Sequence, residues 1–542
     1  MRSPLDRNRV SGFLHADGMK LRNGREEEVL LIGWGLGNWM LCEGYMWKLG
    51  DFEAFDRPRR IERTIADLAG EKYAARFWKL FHALYITEQD IRMMAEMGCN
   101  SLRVPISARL FLGEGPGVSF REEGFEMLDA LLSWCEKYGL YCFIDMHGAP
   151  GGQTGANIDD SPDDLCHLLM EDSEFERGLA LWEEIARRYH DRWIVGGYDL
   201  LNEPIRPVRR EGDQALEAYE PRLRDFYTQA IARIRAVDSR HMIALEGIHW
   251  ATDPGIFDHV YDPQMMIHFH RYWCAPERSE LETFLSVGRR LNAPLWLGET
   301  GENTLPWIAA MAHVALEAGI SVTLWPWKKM DTDNSPLSVR PPEGWDMIRK
   351  YLSGGTRPDA ARVQTLLNRY LENIRAENCV RNGAVMTHAL RCPPTTLWGT
   401  DFDAIPGISW HREGTHEAGV SRKDTGMETV ALPETEHSAP PTDGPWSRAA
   451  LRLHPGEWAR YTFFNVFPGV RLEITCLAGT PSRLEIRQGE ELLDVRPVSG
   501  CAHKQVLSGL RLRSEQRCIL RLTALEGTID IVDISADLIP EY

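Results

Sequence analysis

Several things are scarce or missing in these 542 residues. No stretch approaches the roughly 20 apolar residues that a membrane-spanning helix needs, so helical membrane insertion is excluded. The 11 cysteines are odd in number, scattered and without a CxxC pair, which leaves no disulfide framework or paired-thiol zinc site visible. Cys99, Cys135 and Cys142 lie inside apolar patterns and read as small buried hydrophobes. Positive charge is short: 61 Lys and Arg face 79 Asp and Glu, for a formal net charge of −18. Such a surface repels nucleic acid and anionic membranes. No GxGxxG or GxxxxGK[ST] follows an apolar run, so no nucleotide cofactor is expected. The first ten residues, Met1 to Val10, are polar and hold no apolar leader, and with free thiols this gives the expectation of a cytoplasmic protein.

What is present is a repeating alternation. Eight short apolar runs lie between residues 29 and 327: Val29–Gly37, Ser101–Ser107, Tyr141–Gly148, Tyr198–Pro204, His241–Gly247, Met265–Tyr272, Leu295–Thr300 and Ser321–Trp327. Segments of helical periodicity separate them, clearest at 87–97, 122–138, 173–190, 217–237 and 306–318. Strands apolar on both faces, alternating with helices, imply a buried parallel sheet. Eight units over about 300 residues fit a (β/α)₈ TIM barrel of the α/β class. A charged, helix-forming insertion around 51–81 is expected near the barrel mouth, and a long helix around 357–377 closes the region. Beyond residue 385 the pattern changes to a polar stretch at 412–445 and then to short alternating strands, as in an antiparallel β-sandwich. The expected division is a catalytic barrel over 1–385 and a sandwich over 386–542.

Working groups of such a barrel sit at the C-terminal ends of its strands. Reading those ends gives Arg103, His147, Asn202, Glu203, His270, Tyr272, Glu299 and Trp325. A buried glutamate is rare unless paired, and two on different strands could flank one scissile glycosidic bond. His268, His270 and Tyr272 share one strand face, but carboxylate and cysteine ligands are too few nearby for a metal site to be expected.

Three segments, Gly35-Leu36-Gly37-Asn38-Trp39-Met40-Leu41-Cys42-Glu43, Asp145 through Gln153, and Leu200-Leu201-Asn202-Glu203-Pro204, carry a resemblance. Over roughly residues 10–380 the chain resembles glycoside hydrolase family 5, with all eight characteristic positions matched in order, and is similar to its exo-β-1,3-glucanase branch. Thr300-Gly301-Glu302-Asn303 and Pro326 depart from that branch, so the exact substrate stays open. The resemblance implies that Glu299 is the nucleophile and Glu203 the acid/base of a retaining mechanism, with their carboxyls about 5–5.5 Å apart. It further implies that Arg103 keeps Glu299 ionised, that Tyr272 orients it, and that a like charge raises the pKa of Glu203. Asn202, His147 and His270 would bind sugar hydroxyls and Trp325 would form the floor. Glu43 would be a further hydroxyl acceptor favouring exo action. The implied substrates are β-glucosides or short oligosaccharides first, then β-mannosides or glycolipid glycosides. A transglycosylase and a non-catalytic sugar-binding protein remain alternatives, and oligomeric state is not legible. The segment Leu451 to Tyr461 and the strand Gly527 to Ile534 resemble family 6-type carbohydrate-binding modules. Trp410, His411 and Trp446 are the candidate glycan-contacting aromatics there, against the alternative that the sandwich braces the barrel.

Overall fold

The computed structural model describes residues 10–539 except 116, 210, 213–214, 216–217, 406, 415, 417–418, 433–448 and 467–469. Trp446 and the N-terminal nonapeptide therefore lie outside the described residues. Eight parallel strands close into a barrel in chain order: β1 (Ile32–Gly35), β2 (Ser101–Ser107), β3 (Tyr141–Gly148), β4 (Val195–Asp199), β5 (Met242–Glu246), β6 (Met265–Arg271), β7 (Leu295–Gly301) and β8 (Ser321–Trp325). β8 pairs with β1 through Val322 opposite Ile32, which completes the ring. Helices cover the outside. The helix Glu122–Tyr138 shows why they form: Phe125, Leu128, Leu131, Leu132 and Cys135 make one buried stripe, and Gly139 ends it in the left-handed conformation with φ 73°. Among the described residues no helix is long and apolar enough to cross a membrane, and all 11 cysteines are free thiols.

The lumen is layered. An antiparallel ribbon (His15–Asp17, Lys20–Arg22, Glu28–Val29) caps its lower end. Leu14, Leu21 and Val29 from this part of the chain pack with Tyr141, Phe143, Met242, Met266 and Trp296 in one apolar cluster. Above that plug the lumen turns polar. The expected insertion runs as two helices, Pro58–Ala69 and Glu71–Tyr85, packed on Ala360–Asn373. It buttresses the loop after β1: Trp47 stacks on Phe81 at 5.6 Å and donates to Asn38 Oδ1 at 2.9 Å.

The fourth strand corrects the sequence reading. It spans Val195–Asp199 rather than 198–204, because Gly196 and Gly197 weaken the apolar signal of its first half while Leu200 and Leu201 extend that signal beyond the last pair. Asn202 and Glu203 therefore stand on the loop that follows. Arg103 is also misplaced by the reading of strand ends: it is the third residue of β2, with its whole side chain buried in the lumen.

The expected boundary at 385 falls inside a helix, Gly383–Ala389, which packs on the barrel helix Leu305–Glu317. Two antiparallel sheets follow, six- and five-stranded, and side chains from both, such as Leu451, Leu472, Phe463 and Leu520, share one core, consistent with a β-sandwich. This region is bound to the barrel through buried charge. His313 Nε2 on helix 305–317 lies 2.9 Å from Asp403 Oδ1 and 3.5 Å from Glu317 Oε2. Asp403 also accepts from Thr462 Oγ1 at 2.6 Å, and Ala404 N–H donates to Glu317 at 2.9 Å. Trp410 is half-buried against the sandwich core, and His411 is exposed.

Burial and Arg391 push the His313 pKa down, but Glu317 and Asp403 overcome both and leave it raised. A raised pKa contributes stability that is full below about pH 6.5 and is lost as pH rises through the folded value. The melting temperature of the whole chain is thus expected to fall across that window by more than that of His313→Gln. Parallel pH profiles of the two melting temperatures would contradict this.

Candidate active site

The site grows from Arg103, whose guanidinium is fully buried in the lumen. Its Nε donates to Asp199 Oδ2 at 2.7 Å, and its Nη2 to Asn202 Oδ1 at 2.8 Å and Glu246 Oε1 at 2.9 Å. Nη1 donates to Glu299 Oε1, and Asp145 Oδ2 lies 3.1 Å from Nη2. Four carboxylates from four strands or strand ends thus converge on one cation.

A one-residue irregularity brings Glu299 into this group. On β7, Trp296 faces the lumen plug and Leu297 the helices. Strict alternation would turn Glu299 outward again. The register instead slips between Leu297 and Glu299 against β6, a bulge at Gly298 that turns the glutamate into the lumen. Only a residue without Cβ fits there, since an added Cβ would overlap His268 Nε2. Glu299 then accepts from Tyr272 OH at 3.0 Å.

Glu203 is held by a different device. Its backbone has φ 47°, a costly conformation for a residue with a Cβ, and its N–H donates to Glu246 Oε2 at 2.6 Å. Its carboxyl Oε1 lies 2.7 Å from His270 Nδ1. Glu203, His270 and Glu299 each present an atom within 4.8 Å of the others, so the two carboxyls face one another across a short gap. Burial raises the pKa of Glu203 well above its usual value, and the charges of Glu299 and Glu43 add to it. Desolvation, rather than the like charge expected from sequence, is the main cause. Burial also raises Glu299, but Arg103 and the Tyr272 hydroxyl oppose it. Of the two, Glu203 is the one pushed further.

His147 lies 2.8 Å from Asp145 Oδ2 through Nδ1 and 3.2 Å from Asn202 Nδ2 through Nε2. Burial pushes it down to about 3, so it is a neutral ring donating from Nδ1 and accepting at Nε2. Asn202 is thereby oriented, oxygen to Arg103 and nitrogen to His147. His147 stacks on Trp325 at 5.6 Å and 4°. Trp325 lies flat because Gly35 and Gly37 lack side chains: a Cβ on Gly37 would stand 2.7 Å from its Cζ2. Its Nε1 donates to Tyr45 OH at 2.9 Å. Glu43 is buried, with Oε1 4.0 Å from His147 Nε2 and, among the described residues, without a hydrogen-bond partner, and burial raises its pKa well above the usual value.

All nine residues singled out from sequence therefore meet in one place. Asp145, Asp199, Glu246 and Tyr45 were missed. Glu246 ends the apolar run Met242-Ile243-Ala244-Leu245, the signal by which the other two glutamates were found. Glu246, His268 and His270 also present atoms within 4.8 Å of one another. Arg103 Nη2 already occupies Glu246 Oε1, so a metal cation there would meet a guanidinium at contact distance.

Residues 67–331 match the family described as Cellulase (glycosyl hydrolase family 5). The chain is 32% identical over 255 residues to a beta-xylosidase of Phanerodontia chrysosporium, covering 46% of this chain and 49% of that one. It is 28% identical over 283 residues to a glucan 1,3-beta-glucosidase of Candida oleophila, covering 49% and 61%. The match thus spans about half to three fifths of these relatives' length. A crystal structure of an endogalactoceramidase aligns over 96% of this chain and 99% of its own, at 13% identity and a TM-score of 0.47.

Gly298→Ala is expected to destabilise the protein by at least about 2 kcal/mol through overpacking, read as a lower melting temperature. A melt like that of the wild type would show that the bulge tolerates a side chain.

Proposed function

We propose that this glycosyl hydrolase family 5 barrel is a retaining β-glycosidase acting on the non-reducing end of β-glucosides or short β-linked oligosaccharides. The observation that carries the reading is the facing pair Glu203 and Glu299, with presented oxygens within 4.8 Å and unequal environments. Inverting pairs stand about 6.5–9.5 Å apart to admit water, whereas retaining pairs are closer. Glu299, on Arg103 and Tyr272, attacks the anomeric carbon as the leaving oxygen departs, forming a glycosyl-enzyme ester. Glu203, the more elevated carboxyl, gives its proton to that oxygen. It then takes a proton from the water that attacks the anomeric carbon, and Glu299 leaves as carboxylate. Asn202 is read as the donor to the sugar 2-hydroxyl, and Trp325 as the apolar face under the ring. Glu43, buried beside His147, supports exo action, because it puts a polar wall where a longer chain would otherwise continue. The sandwich is read as a brace, supported by the His313–Asp403 contact and by the burial of Trp410. The free thiols support a reducing compartment as the workplace.

Glu299→Ala is expected to lose at least about a thousandfold in activity, with external azide restoring turnover and giving an inverted glycosyl azide. Turnover like that of the wild type without azide would sink the role. A panel of aryl β-glycosides then tests the substrate: the glucoside is expected to lead, the β-xyloside is included because one relative is named for it, and no hydrolysis of any member would favour a sugar-binding protein.

A further inference from the structure

We propose that His268 is the positioning residue that keeps the proton on Glu203, acting through His270. This rests on the reading of Glu203 as the acid, and its basis is the direction of a buried hydrogen-bond chain. Asp199 Oδ1 lies 3.0 Å from His268 Nδ1, His268 Nε2 lies 3.0 Å from His270 Nε2, and His270 Nδ1 lies 2.7 Å from Glu203 Oε1. Both imidazoles are fully buried.

Two ring nitrogens that face each other hold one proton between them. Which nitrogen carries it is decided from the Asp199 end. The Asp199 carboxylate is an acceptor: its other oxygen already takes the Arg103 Nε–H, and its pKa is lowered, since His268 and Arg103 together outweigh the rise that burial causes. His268 must therefore donate from Nδ1. A neutral His268 then has a bare Nε2, which accepts from His270 Nε2–H. The Nδ1 of His270 is bare in turn, and it can only accept. The group opposite it must supply a hydrogen, and that group is the carboxyl of Glu203.

Ionised Glu203 breaks this order. Reversing both tautomers would keep only the two links nearest Glu203 and leave a bare His268 Nδ1 facing a carboxylate. The alternative is a third proton on the imidazole pair. Burial opposes it on both rings, pushing His268 down to about 4 and His270 well below the ordinary value. Arg103 opposes it as well, whereas Glu246 Oε1, 3.2 Å from His268 Nδ1 and 3.6 Å from His270 Nε2, and Glu299 Oε2, 3.7 Å from His270 Nδ1, favour it. On Glu203 itself, Glu299 and Glu43 favour the protonated form and Arg103 the ionised one. The chain adds a directional preference that point charges do not supply. It also restores the acid after each turnover, since the proton taken from the attacking water completes the arrangement in which every link has a donor and both rings stay neutral. A purely structural His268, packed at 4.3 Å on Trp296, would need no such order.

The experiment compares the wild type with His268→Phe, which keeps the shape and removes both links, and with His268→Gln, which keeps one donor and one acceptor. In His268→Phe, kcat/KM for an alkyl glycoside is expected to fall at least about tenfold, and its alkaline limb to move down by about one pH unit, as loss of acid assistance predicts. A dinitrophenyl glycoside, whose departure needs no proton, is expected to change by less than about threefold. His268→Gln is expected to stand between the two. Equal losses on both leaving groups with an unmoved limb overturn the proposal. If Glu203→Gln itself hydrolyses the alkyl glycoside normally, the acid reading fails instead. Should the Phe variant not fold, neutron diffraction from wild-type crystals decides: hydrogens on His268 Nδ1 and His270 Nε2 are expected, and the reverse pair overturns the proposal.

Discussion

One buried guanidinium organises this barrel. Arg103 donates to carboxylates or an amide carried by the ends of three strands, β4, β5 and β7, with Asp145 of β3 3.1 Å away, and it sits just above the apolar plug built on Phe143 and Trp296. Four carboxylates on one cation cannot all be ionised in so dry a place. Burial accordingly raises Asp145 and Glu246 well above the carboxylate range, while Asp199, next to His268, is lowered. The cluster therefore shares protons, and Arg103 decides where the lasting negative charge lies. Removing the guanidinium would strand its acceptors together, so the same group that positions Glu299 also permits the lumen to be polar at all.

The fold was largely open to reading from sequence because its cues are local. Strands buried on both faces show as unbroken apolar runs, and helices such as Glu122–Tyr138 show as one stripe with a terminal glycine. The errors arose where the chain breaks period. Leu200 and Leu201 look like strand but lie beyond it, because apolar loop residues can be buried under the helices as well as strand residues can. Gly298 is legible only in hindsight: a glycine inside Leu-Trp-Leu-Gly-Glu signals a bulge, but its effect on Glu299 depends on the register of two neighbouring strands.

The site was legible by position and less so by partnership. Reading strand ends found the residues that face the pocket, since their chemistry is useless in a core. It did not find Asp145, Asp199 and Glu246, which face Arg103 and the histidines rather than the pocket. Their role is relational, and no single-position cue distinguishes an acid that touches a ligand from one that orients the groups that do. Long-range pairings such as His313 with Asp403, 90 residues apart, are hidden for the same reason.

On the proposed glycosidase reading, the surplus of acids lets one pocket favour a positive transition state and still contain a protonated acid. An oxocarbenium-like centre is stabilised by fixed negative charge placed beforehand. Arg103 leaves that charge on Glu299, and the Tyr272 hydroxyl also opposes its elevation. Glu203 and Glu43 are also drawn down by Arg103, but burial and the neighbouring carboxylates outweigh it and raise both well above the usual value. The strained φ of Glu203 and the bulge at Gly298 set the geometry that makes this division possible, one by fixing a backbone against Glu246 and the other by turning a side chain inward. Position and protonation are thus settled by the same few contacts, so a change to either glutamate's neighbours should alter both together.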